Sequence, residues 1–195
     1  MQRDLSQYTT WQVEMAITAS LVELGLFSDN QMIAYAHWLL NHGYYNDDLL
    51  DIIDDDPLYP FPSNKQTSFG DATRKLGFPA VSSGQAKWIY SYIIINDHAT
   101  RPNNYDILNF LNTSLYENFQ QFLVVDSYLQ DINHFENTIY RLDDALDNVA
   151  MGYVHKGYND PSIILAMQRE FFQLCEQWLG RNRAKIDAIF ASLYD

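Results

Sequence analysis

Six aspartates within ten residues, Asp47, Asp48, Asp51, Asp54, Asp55 and Asp56, form the densest group of chemically active side chains in the sequence. Carboxylates this crowded can hold a metal ion, work as acid–base pairs, or face a basic partner. A calcium loop of the EF-hand type needs Asp at positions 1, 3 and 5, Gly at 6 and Glu at 12. Here Pro57 follows Asp56 at once and no Gly is correctly placed, so calcium is rejected. Carboxylate pairs for acid–base work are abundant, and their abundance makes each pair less informative. That leaves recognition of positive charge, or an ordinary solvated helix face.

Local electrostatics favour recognition. The spacing predicts a short helix from Asp47 to about Asp56, capped by Asn46, with Leu49, Leu50 and Ile53 inward. Asp47, Asp51, Asp54 and Asp55 then share the outer face. Asp54, Asp55 and Asp56 crowd the C-terminal end, where the helix dipole disfavours each exposed anion by roughly 0.3–1 kcal/mol. No Lys or Arg lies at the i±4 positions that would relieve them. Between Arg3 and Lys65 there is no Lys or Arg at all, against ten Asp and Glu. Tyr44, Tyr45 and Tyr59 flank this helix. Tyrosine anchors interfaces well because it buries area with few rotors; equally, such rings close helix ends against a core.

Other chemistry is weakly signalled. The histidines His37, His42, His98, His134 and His155 form no HExxH. The single carboxylate-x-x-His, Asp131 to His134, falls short of the paired Glu-x-x-His motifs of a di-iron bundle. No metal and no cofactor are expected. Cys175, between Leu174 and Glu176 on an apolar helix, reads as buried and inert, since reactive thiols need basic surroundings. There is no GxSxG, P-loop or GxGxxG. The expectation is therefore a protein that is not an enzyme.

Net charge is −13 and hydrophobic content 47%. The charge disfavours binding to nucleic acid or anionic lipid, while the hydrophobic content allows a packed core. A lone cysteine suits a reducing, cytoplasmic setting. The start, MQRDLSQYTT, lacks the apolar stretch of a secretory signal. The longest apolar run, near Ile89–Ile95, is too short for the roughly 20 residues of a membrane span.

The elements that must position the aspartates are helical almost throughout. Thr10 is expected to cap a helix with Val13, Ile17, Leu21 and Leu24 inward, stopped by Gly25. Ser28 starts a second, with Met32, Ile33, Ala36, Leu39 and Leu40 inward and Gly43 at its end. Tyr35, Trp38 and His42 lie off that face, either covered by another element or left as an exposed aromatic patch. Residues 57–83 hold four of the six prolines and read as a long loop. Lys65, Arg74 and Lys75 within it could fold back onto the acidic helix.

Ser82 and Gln85 make a capping box for a buried helix through Ile95. Asn104 caps a short helix, and Ser114 opens one with Phe119 and Phe122 inward. Asn133 opens another, with Leu142, Leu146, Val149 and Tyr153 inward, ending at Gly157. Opposite that stripe, Glu136, Tyr140, Asp143 and Asp147, with Asp144 beside them, make a second acidic surface or simply its water-facing side. Asp160-Pro161 starts a helix with Met167, Phe171 and Trp178 inward, stopped by Gly180, and a last helix carries Ile186 and Phe190. The architecture expected is all-α: one domain over 1–195, an antiparallel bundle with an N-terminal helical hairpin layer. It divides as 1–56, the loop 57–83 and the bundle 84–195.

The stretch LFSDNQMIAYAHWLLNHGYYNDDLLDIIDDD resembles the helix–loop–helix openings of immunity proteins from bacterial toxin–immunity systems, the polymorphic-toxin and contact-dependent-inhibition group. The resemblance implies an inhibitor of a basic, nuclease-type toxin domain. A nucleic-acid mimic of the phage anti-defence kind is the alternative, and an enzyme with an unrecognised carboxylate site the third reading. A mimic should spread its charge along one long face; the 47–56 cluster concentrates it beside aromatic residues.

Overall fold

The computed structural model describes residues 5, 8–53, 65–100 and 132–194. Every regular element among them is an α-helix, as the all-α reading expects: α1 (Thr10–Glu23), α2 (Asp29–Asn41), α3 (Asp47–Ile53), α4 (Lys65–Lys75), α5 (Ser83–Thr100), α6 (Ile132–Ala150) and α7 (Pro161–Tyr194). Asp54, Asp55, Asp56, Tyr59, Asp131 and the helices expected after Asn104 and Ser114 lie outside the described residues. The chain divides into two compact units, one of 2–93 with 184–195 and the other of 94–183. These boundaries fall inside α5 and α7.

In the first unit, helix starts follow local chemistry. Ser28 accepts from the Gln31 N–H while Gln31 Oε1 accepts from the Ser28 N–H at 2.9 Å, a closed capping box. Ser82 and Gln85 repeat it at the start of α5. At α1 the cap is Thr9, not Thr10. Only Thr9 has a Gln three residues on to complete the box, with Gln12 N–H donating to Thr9 Oγ1 at 3.1 Å.

The core of this unit is Met15, Met32, Ala36, Leu39, Leu49, Ile52, Phe69, Ala72 and Phe78. On α1 the fully buried side chains are Met15, Ala16, Thr18 and Ser20, whereas Val13, Ile17, Leu21 and Leu24 are half-buried. Ser20 can be buried because its hydroxyl donates to the Ala16 carbonyl at 2.7 Å. On α3, Leu49 and Ile52 are buried and Ile53 packs partly buried against the core, as expected for Leu49 and Ile53, whereas Leu50 is 40% exposed and the expected inward placement of Leu50 is corrected. The expected loop 57–83 contains α4, which packs on α1, α2 and α3 through Phe69, Ala72 and Thr73. Prolines on its N-terminal side masked a stripe of only three apolar residues, Phe69, Ala72 and Leu76.

Helix ends in this unit share one closure. The Gly43 N–H bonds the Leu40 carbonyl and the Tyr44 N–H the Leu39 carbonyl; Gly77 and Phe78 do the same with Arg74 and Thr73. Gly43 and Gly77 have φ of 84° and 85°, which a side chain would resist. The residue after each glycine, Tyr44 or Phe78, is thereby turned onto the core.

In the second unit, Leu142, Ala145 and Met167 are buried with Leu146, Ile163 and Ile164 against them. α6 ends at Ala150, and Val149 and Tyr153 are exposed, so the expected continuation to Gly157 is corrected. The same closure intervenes early, with the Tyr153 N–H on the Asn148 carbonyl at 2.8 Å. The turn that follows is fixed by Asn159, fully buried, whose amide donates to the Tyr153 carbonyl and accepts from the His155 N–H, each at 2.6 Å. Asp160 then caps α7, accepting from the Ser162 and Ile163 N–H groups, with Pro161 in the first turn.

Gly180 does not stop the helix: α7 runs on through it to Tyr194. Its φ lies outside the left-handed range, and a Cβ there would meet nothing within 4 Å. A single glycine costs a helix interior only about 1 kcal/mol against alanine, too little to end one so well packed on either side. Gly180→Ala should therefore raise stability by about 0.5–1 kcal/mol in thermal unfolding; a true stop at this position would make the same change destabilising. Leu142→Ala and Phe171→Ala should each cost roughly 2–5 kcal/mol through lost burial and cavity formation.

Candidate functional site

α3 is short, and its position comes from its neighbours. Asn46 begins it, with Oδ1 accepting from the Asp48 N–H at 2.9 Å, and Leu49 and Ile52 tether it to α2 and α4. The turn of chain between successive residues then places Asp47 and Asp51 in solvent on one face. Asp47 and Asp48 occupy the first turn, where the helix dipole favours anions.

The neighbouring α4 supplies the counter-charge that α3 lacks. Lys75 Nζ donates to Asp48 Oδ2 at 2.5 Å, and the Asp48 carboxylate holds the Lys75 ammonium above its ordinary pKa. Arg74 is occupied by Asp71 of its own helix at 2.7 Å. A shallow concavity of about 280 Å³ lies here, lined by Asp48, Asp51, Ser68, Asp71, Arg74 and Lys75. The fold-back of basic residues onto the acidic helix is thus real for Lys75, which pairs directly with Asp48; among the described residues no ion pair is made by Asp47 or Asp51.

The tyrosines divide. Tyr44 is not a free anchor: its ring stacks on Trp11 at 4.8 Å and packs on the core. Tyr45 is 66% exposed, and its hydrogen bond to Asp47 raises its phenol pKa. Of the nine residues proposed from sequence, the structure brings together Asp47, Asp48, Asp51 and Tyr45 as a surface and assigns Tyr44 to packing.

Sequence reasoning missed a second feature of the same unit. A groove of about 750 Å³ runs between α1 and α2, lined by Thr10, Trp11, Glu14, Phe27, Gln31, Ala34, Tyr35 and Trp38. The stripe Tyr35, Trp38 and His42 was legible at helical spacing; its companion Trp11 sits on another helix and gave no signal of its own. Trp11 lies 5.7 Å from Trp38, Trp38 stacks on Tyr35 at 5.5 Å and on His42 at 4.2 Å, and Trp38 remains 38% exposed. The patch is both covered on one side and open on the other.

Elsewhere the candidates are quieter. Tyr140 and Asp147 of α6 are exposed, and Asp144 accepts from the Tyr158 hydroxyl. The side chains of Glu136, Asp143 and His134 lie outside the described residues. Among the described residues no group of three or more His, Cys, Asp or Glu is placed to hold a metal ion. Cys175 is buried, which pushes its thiol pKa far up. Among the described residues no helix is long and apolar enough to cross a membrane.

Burial pushes the Tyr35 and Tyr194 phenols up from 10.0 to about 12. The unfolded chain releases these protons first, so the stability they contribute is fully present below pH 10.0 and is lost as pH rises to about 12. Denaturant unfolding across that range should show the loss, and Tyr35→Phe should make it shallower.

No protein-family model, curated protein sequence or solved structure matches the chain. Its own surface chemistry therefore carries the functional reading.

Proposed function

We propose that this chain is an acidic, protein-binding inhibitor of the immunity-protein type, which neutralises a basic, nuclease-type toxin domain in the bacterial cytoplasm. One observation carries the reading: α3 presents Asp47 and Asp51 to solvent, and the only described ion pair on that helix, from Lys75, is spent on Asp48. A nuclease must hold phosphates and so keeps a cationic cleft. Exposed carboxylates on a fixed helix steer such a cleft inward and then occupy it. Tyr45, exposed beside Asp47, adds a contact of large area with little ordering cost. Inhibition by occlusion needs no catalytic group on this chain.

The test begins with capture of the native partner by the full chain, followed by binding kinetics at two salt concentrations. Asp47→Asn/Asp51→Asn leaves the inward Leu49 and Ile52 untouched and should fold normally. Association should slow by roughly threefold to tenfold and lose much of its salt dependence, because exposed charges act mainly on encounter. Unchanged kinetics would return α3 to an ordinary solvated face. Capture of a nucleic-acid-binding host protein in place of a toxin would favour the mimic.

A further inference from the structure

We propose that the groove between α1 and α2 is an anchor site for a basic polypeptide segment, one that inserts an aromatic or long aliphatic side chain with an Arg or Lys next to it. The inference deepens the proposed function and rests on its reading that the partner is basic. The apolar part of the occupant follows from the walls. Trp11, Phe27, Tyr35 and Trp38 line an open groove of about 750 Å³, and Trp38 is 38% exposed. Rings of this kind in a concave site are the usual seat of interface anchors.

The cationic part follows from Glu14. Among the described residues its carboxylate is the one charged group lining the groove; it is half-buried and takes a hydrogen bond from the Tyr35 hydroxyl at 3.5 Å. An apolar occupant would strip water from that carboxylate and return nothing, which is costly, and a neutral donor would return less than a cation does. An adjacent Arg or Lys would pair it. No cation on the groove's own helices competes, because α1 and α2 contain Glu14, Glu23 and Asp29 and neither Lys nor Arg. The same facts disfavour a second copy of the chain, which would bring Glu14 against Glu14 at a net charge of −13 each. They disfavour nucleic acid equally. Arginine suits the site better than lysine, since a guanidinium also stacks on aromatic faces.

The experiment uses the full chain with labelled tryptophan indoles, read by NMR, and three short synthetic peptides that differ only at the core: Arg-Phe-Arg, Arg-Ala-Arg and Glu-Phe-Glu. Trp11→Phe and Trp38→Phe assign the two groove signals. The Arg-Phe-Arg peptide should move the Trp11 and Trp38 signals and leave buried Trp178 unmoved. The other two should bind at least about tenfold more weakly. Ala34 lines the groove and is exposed, so Ala34→Lys should fold, fill the groove and abolish the response. Glu14→Gln keeps the shape and should weaken binding by about threefold to tenfold while removing most of its salt dependence.

Equal binding of the Ala or Glu peptide, or an unaltered response in Ala34→Lys, would overturn the proposal. So would groove signals that shift with protein concentration alone, which would mark a second copy as the occupant. A peptide that binds Ala34→Lys normally but loses affinity for Asp47→Asn/Asp51→Asn engages α3, which retires the groove and leaves the proposed function intact. Specific groove binding together with a captured partner that is not basic would retire the proposed function and leave the groove.

Discussion

A segment with ten carboxylates and no cation between Arg3 and Lys65 cannot be held together by ion pairs of its own. Its cohesion has to come from apolar burial. The cluster of Leu39, Leu49, Ile52 and Phe69, each at 1% exposure or less, is what gathers α2, α3 and α4 into one body. Everything distinctive about the surface depends on that cluster. It orients α3, so that Asp47 and Asp51 face water. It also carries Lys75 within 2.5 Å of Asp48, a pairing that follows from the packing and does not cause it.

Trp11 ties packing to surface. Its ring meets Phe78 edge-on at 5.6 Å and stacks on Tyr44 at 4.8 Å, which fixes the start of α1 against the core. On its other side it approaches Trp38 and walls the groove. One wall of the groove is thus packed directly against the core. A site on packed rings loses little freedom when a partner arrives, which leaves more of the contact energy for binding. The acidic helix and the groove belong to the same compact unit, and the unit's own helices α1 to α3 supply no positive charge to either.

The helix closures show how one local device gives different results. A glycine in the left-handed region followed by a large apolar residue turns that residue back across the helix end. Tyr44 and Phe78 thereby reach the core of their unit. Tyr153 follows the same backbone hydrogen bond but stays 59% exposed, with Met151 and Val154 beside it. The backbone motif sets the direction of the chain. Whether a side chain is buried depends on what the fold places opposite.

The sequence by itself determined what acts over three or four residues. The capping boxes at Ser28 and Ser82, the Asp160-Pro161 start of α7, the inner face of α2 and the helical class all arise from neighbours along the chain, so the pattern is visible in one dimension. Tertiary structure decided what needs a distant partner. Residues 65–75 became a helix because Phe69 and Ala72 found α2 and α3 to pack on, not because their stripe is strong. Ile52 displaced Leu50 from the inner face of α3, since α3 must touch α2 and α4 at once. Tyr44 went to the core, Gly180 stayed helical under the packing of Trp178 and Ile186 on either side, and among the described aspartates of α3 Asp48 gained a cation from α4. The groove needed Trp11 from one helix and Trp38 from another. Burial energy depends on which surfaces meet, and a period along the chain does not contain that information.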